Sequence, residues 1–216
     1  MMMMVFTCIS LYMLNYISIL CKVPVIMGTN LDEGAVFVNV DPHLDAPAFE
    51  HWLNTTYGPY ASSLRALYPP SRYPPSSCCS SYFYAAEHIN GDFSFTCPTR
   101  RGVRWFSKTQ SDTYLYYFTR VPTGAPFSYH SCEIPFVYQA QNLLLSQQDK
   151  DIAKNMATMW VQFAHGVSPS IGSVSWPRYD VNSDENLQID TQLAITRGLH
   201  KDQCDFWDSL LSRRCD

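Results

Sequence analysis

The sequence predicts an α/β architecture, because strand-like and helix-like segments alternate along its 216 residues. Three runs carry that reading. Residues 113–119 (TYLYYFT) are continuously β-prone, the pattern of a strand buried on both faces. Ile152, Ala153, Met156, Met159, Trp160, Phe163 and Ala164 recur at helical spacing on one face. Residues 23–28 (VPVIMG) read as a short buried strand, with Gly28 opening a turn.

Composition agrees with a packed domain. Hydrophobic residues make up 46% and charged residues 16%, below the roughly 25% charge of ordinary soluble domains. The net charge is −4. This excludes a disordered tail and a basic nucleic-acid binder, so no nucleic-acid partner is expected. The length suits one domain, or part of a larger one.

The elements follow in order. Residues 1–21 (MMMMVFTCISLYMLNYISILC) are apolar but lack a charged start and a small-residue cleavage site. Their length approaches a membrane span, which Thr7, Ser10, Asn15 and Ser18 weaken. A signal anchor, a buried segment and sequence foreign to the domain are the three readings. The last is favoured, which divides the chain into 1–21 and 22–216 and leaves 1–21 as the one membrane candidate. Asn30 and Asp32 are placed to cap a short helix over 33–37. Residues 42–53 and 61–67 read as surface helices, and the Pro- and Ser-rich 69–81 as a loop. Residues 97–108 are helical in content, and 124–132 form a loop. Ser146, Gln147, Gln148 and Asp149 resemble a capping box opening the next helix, and Gly166 sits where its C-terminal cap belongs. Residues 176–177 and 180–185 are loops, and 187–190 with 193–196 pair as an edge hairpin. Residues 200–212 make an amphipathic helix with Phe206, Trp207, Leu210 and Leu211 on its apolar side.

The cysteines are Cys8, Cys21, Cys78, Cys79, Cys97, Cys132, Cys204 and Cys215. None has C-x-x-C spacing, so no metal site is expected. Wide spacing and an even count suit disulfides in an oxidising compartment, and buried thiols are the alternative. Asn54-Thr55-Thr56 is a glycosylation sequon, consistent with a secreted or lumenal protein. No nucleotide, flavin or other cofactor signature is present.

Four segments together carry a resemblance. They are 28–34 (GTNLDEG), 130–137 (HSCEIPFV), 160–166 (WVQFAHG) followed by Pro169 and Trp176-Pro177, and Cys97-Pro98 with Cys204 ahead of Phe206-Trp207. Their order and spacing are similar to the C-terminal part of type B carboxylesterases, the family that includes cholinesterases. The resemblance spans residues 22–214 and implies an α/β-hydrolase fold, here as an incomplete sheet with flanking helices. It implies Glu33 as the triad acid and His130 as the general base, matching the acid-then-histidine order of that fold. It implies a Cys97–Cys204 disulfide. Adjacency disfavours a bridge between Cys78 and Cys79, and either could meet Cys132; Cys215 is left as an intersubunit link or a free thiol. His43, His51, His88, His165 and His200 lack such context and read as surface residues. Trp105, Phe106, Tyr114 and Phe127 read as core.

One departure matters. No G-x-S-x-G occurs in the chain; the nearest approach, 166–170 (GVSPS), ends in Ser, and there is no Gly-Gly pair. The nucleophile and oxyanion loop come earlier in such chains. The expectation is therefore a fragment, inactive alone, of a parent acting on small carboxylic esters. The alternative is a non-catalytic, neuroligin-like adhesion protein. Oligomeric state has no signature.

Overall fold

The computed structural model describes residues 23–109 and 112–212. The expectations for 1–21, including Cys8 and Cys21, and for Cys215 lie outside the described residues. Strand β1 (Val25–Asn30) runs two residues past the predicted turn at Gly28. Gly28 lies inside the strand because the Tyr116 ring lies across it. A Cβ there would stand 2.2 Å from that ring. Residues 33–37 form successive turns rather than a capped helix, with Ala35 N donating to Asp32 O and Phe37 N to Gly34 O.

Four helices then cross over from β1. Helix α1 (Ala46–Tyr57) is capped by Asp45, which accepts from Ala48 N at 2.9 Å. Helix α2 (Ala61–Leu67) matches its predicted span. Helix α3 (Ser81–Gly91), capped by Ser80 through Phe83 N at 3.1 Å, was not expected. A π-helical segment (Asp92–Thr96) joins it to α4 (Cys97–Thr109). Helix α3 buries Phe83, Ala85, Ala86, Glu87, His88, Ile89 and Gly91. Burial on nearly every side leaves no polar stripe to read.

Strand β2 (Thr113–Phe118) is buried at all six positions. It pairs in parallel with β1, matching Gly28 to Tyr116 and Asn30 to Phe118. After β2 come α5 (Ile134–Val137) and α6 (Gln147–Ala164). Only half of the expected capping box forms at α6. Ser146 Oγ accepts from Asp149 N at 3.1 Å. The Asp149 carboxylate turns instead to Arg120 Nε at 2.8 Å and Thr123 N at 3.1 Å. Strand β3 (Glu185–Ile189) pairs in parallel with β2, and β4 (Ala194–Arg197) closes the hairpin antiparallel. The sheet order is β1-β2-β3-β4, so β4 alone of the hairpin is an edge. Helix α7 (Lys201–Ser212) is the last element among the described residues.

The two faces of β2 seed two cores, as period-two alternation requires. Tyr114, Tyr116 and Phe118 pack with Met156 and Met159 of α6 and with Trp176. Leu115 and Tyr117 pack with Val103 of α4, Tyr179 and Leu199. A third cluster joins α1, α2, α3 and α7 through Phe49, Leu64, Ile89 and Trp207. It includes the disulfide Cys97–Cys204, with sulfurs 2.04 Å apart. Cys78, Cys79 and Cys132 stand as free thiols, so the suggested pairing with Cys132 is not formed. The surface reading of the histidines fails at two positions. His88 is 8% exposed and paired with Glu87, and His200 is half-buried against Asp92 of the π-helical segment. No helix among the described residues is long and apolar enough to cross a membrane.

Candidate active site

Three parallel strands place their C-terminal ends side by side, and ligands in open α/β sheets bind beyond such ends. Glu33 lies three residues past the end of β1. His130 lies on the loop after β2. An isolated parallel bridge between Asp32 and Tyr129 extends the sheet pairing into these loops. Asp32 N donates to Ser128 O at 3.0 Å, and Ser128 N donates to Asp32 Oδ2 at 2.8 Å. These bonds hold the acid turn against the histidine loop.

The result is a direct contact. Glu33 Oε2 lies 2.6 Å from His130 Nδ1, across 97 positions of sequence. Glu33 Oε1 accepts from Asn30 N at 2.7 Å, which fixes the carboxylate from the backbone. Glu33 is buried, at 6% exposure, while the His130 side chain keeps 23%. The hydrogen bond from Glu33 holds the His130 imidazolium above the ordinary histidine range, against the opposing effect of burial. Phe95 and Phe37 flank the ring at centroid distances of 4.6 Å and 5.3 Å. Ser131, with φ of 71°, carries the chain sharply away after the histidine.

A second layer supports the pair. Asn30 Nδ2 donates to Tyr129 O at 2.9 Å and to Glu133 Oε2 at 2.6 Å. Tyr116 OH donates to Glu133 Oε1 at 3.4 Å. Burial raises the Glu133 carboxyl, with the Asn30 amide opposing. The sequence reading did not assign Asn30 and Glu133 to the site, although both fall inside the segments that carry the resemblance. Behind the acid turn, Gly34 meets α3. A Cβ on Gly34 would stand 1.9 Å from the Glu87 carbonyl oxygen. Glycine is required at this backbone crossing.

The chain as a whole is similar to known proteins. The sequence profile of the carboxylesterase family matches residues 13–207. The chain belongs to the carboxylesterase family. Among curated carboxylesterase-family relatives, it is 28% identical to an acetylcholinesterase of Bungarus fasciatus over 144 residues, 60% of this chain and 23% of that protein. It is 26% identical to the para-nitrobenzyl esterase of Bacillus subtilis over 191 residues, 80% of this chain and 35% of that protein. A solved PNB esterase superimposes with a TM-score of 0.62 at 23% identity, covering 85% of this chain and 38% of that one. The fold is thus part of an α/β-hydrolase domain. The chain spans about a third or less of the length of these curated relatives.

The remaining assignments divide plainly. The structure brings Glu33 and His130 together and forms the Cys97–Cys204 bridge. Asn54 is exposed on α1, its side-chain amide donating to Glu50 O at 2.7 Å. A cavity of about 300 Å³ lies elsewhere, lined by Arg72, Tyr73, His88, Asp92 and His200 among others.

Proposed function

We propose that this chain supplies the acid and the general base of a serine carboxylic-ester hydrolase. The observation that carries the reading is the 2.6 Å contact between Glu33 Oε2 and His130 Nδ1 at the ends of adjacent parallel strands. With Glu33 holding Nδ1, proton transfer falls to Nε2. That nitrogen takes the proton of an attacking serine and returns it to the leaving alcohol. Glu33 keeps the tautomer and stabilises the imidazolium as it forms. The serine and the oxyanion donors are not among these 216 residues, since the sequence has no G-x-S-x-G. Without a nucleophile no acyl-enzyme forms. We read residues 22–216 as the C-terminal part of the catalytic domain, inactive alone, with a small carboxylic ester as the parent's substrate. A buried disulfide and the exposed sequon at Asn54 support an oxidising, secretory location. The adhesion-protein alternative gives no account of the Glu33–His130 pair.

The test is complementation. The chain alone should hydrolyse p-nitrophenyl esters at background rate. Co-expression with the serine-bearing N-terminal part of a carboxylesterase should restore turnover that an organophosphate abolishes. Hydrolysis by the chain alone that survives organophosphate treatment would overturn the mechanism.

A further inference from the structure

Helix α3 carries two adjacent ionisable side chains into the interior, where the acid turn packs on it. Glu87 has no exposed surface, His88 is 8% exposed and Asp32, on the turn, is 4% exposed. One ligand-capable atom from each of the three lies within 4.8 Å of the others. Hydrogen bonding there is incomplete. Glu87 Oε1 is ion-paired with His88 Nδ1, and neither Glu87 carboxylate oxygen accepts a hydrogen bond of good geometry among the described residues. His88 Nδ1 also lies 2.9 Å from the Tyr84 carbonyl oxygen. Asp32 accepts at Oδ2 from Ser128 N. Two buried carboxylates therefore face a single imidazole. Buried carboxylates that outnumber their cationic neighbours call for a physical explanation, and a missing cation is one. Buried charge must be paired or bound to metal.

We propose that Asp32, Glu87 and His88 form a binding site for a first-row divalent cation, with zinc the best match. One imidazole nitrogen and two carboxylate oxygens are ligands such ions accept. Calcium and magnesium fit less well, since they favour six or more oxygens. The ion adds positive charge where a single imidazole faces two carboxylates. It also ties α3 to the acid turn at the point where Gly34 touches the Glu87 carbonyl. The site is separate from Glu33 and His130 as ligands, and no step of ester hydrolysis passes through it.

The probe is zinc chloride on the full 216-residue chain. After dialysis against zinc and then zinc-free buffer, elemental analysis should find one equivalent retained. The thermal midpoint should climb with zinc concentration, as binding to the folded state requires. Glu87→Gln and Asp32→Asn should each weaken binding by more than about tenfold, the scale on which even outer-shell partners act. A variant lacking exposed His43, His51 and His165, and a Cys78→Ser variant, should bind as tightly as the parent. Cobalt in the unmutated chain should show visible d–d bands without a thiolate charge-transfer band, a measurement that stands even if a variant misfolds. Absence of retained zinc and of any midpoint shift would mean that a proton balances Glu87, and the proposal fails. Zinc binding that survives Glu87→Gln, that vanishes with Cys78, or that brings a thiolate band with cobalt overturns it equally.

Discussion

Two carboxylate–histidine pairs stand in this fold with the same first contact. Glu33–His130 and Asp92–His200 each place a carboxylate oxygen 2.6 Å from Nδ1, and each histidine side chain is 23% exposed. Their surroundings differ. His200 Nε2 faces Tyr117 OH at 3.3 Å, and Asp92 Oδ2 accepts from Tyr68 OH at 2.8 Å. Tyr68 in turn accepts from Trp207 Nε1 at 3.0 Å. That pair is closed into a network joining the π-helical segment, Tyr68 at the end of α2, α7 and the sheet. His130 Nε2 has no hydrogen-bond partner among the described residues, and its pair sits past the ends of β1 and β2. Distance to the carboxylate does not separate the pair proposed as catalytic from the structural one. What separates them is an unspent second nitrogen at a strand end.

The comparison can be broken directly. In the complemented enzyme, His130→Ala should reduce ester turnover by about 10⁴-fold, the scale on which a triad member acts. His200→Ala should leave turnover within a few-fold while lowering the urea midpoint. Equal losses at the two histidines would erase the distinction. Next in size is the covalent tie beside the closed pair. Cys97 and Cys204 are 107 residues apart, and opening such a loop by Cys204→Ser should cost about 4–5 kcal/mol in the chain-entropy view. Denaturant unfolding of the intact and reduced chain measures it. Smaller again is the backbone crossing behind the open pair. Gly34→Ala should cost about 1–3 kcal/mol as α3 is pushed off the acid turn. Its proton resonances should show disturbance at His130 more than at His200.

The smallest effect is in titration. The folded pKa of His130 is raised, so the Glu33 contact stabilises the fold most below the unfolded histidine value. That stabilisation is lost as pH rises through the folded value. Activity runs the other way, because the base must be neutral, and should increase through the same folded value. Glu33→Gln should move the His130 midpoint, followed by ring-proton NMR, toward acid. An unmoved midpoint would show that Glu33 does not govern the imidazole.

How much of this was readable in advance depended on where the information lies. Strand β2 was legible because burial on both faces leaves an unbroken apolar run. Helix α6 was legible because one face is buried and the other wet. Helix α3 was not, since its interior surroundings permit apolar and ionisable side chains all round. Gly28 was misread because its role is set by Tyr116, on a strand far along the chain. The burial of His88 and His200 likewise comes from tertiary docking, which local pattern does not encode. Glu33 and His130 carry no periodic signature; they were legible only through the segments around them. Asn30 and Glu133 sat in those same segments, but their hydrogen bonds appear only once the loops meet.

The parallel pairing of β1 with β2 has a kinetic corollary. Parallel strands need a long crossover, and here it holds four helices before Val25 finds Thr113. The Glu33–His130 contact spans 97 positions. Contacts of such high sequence separation are entropically dear to close and form late in folding. The imidazole environment of His130 is therefore a reporter of finished topology. Stopped-flow refolding should show helical circular dichroism recovering well before the His130 signal does.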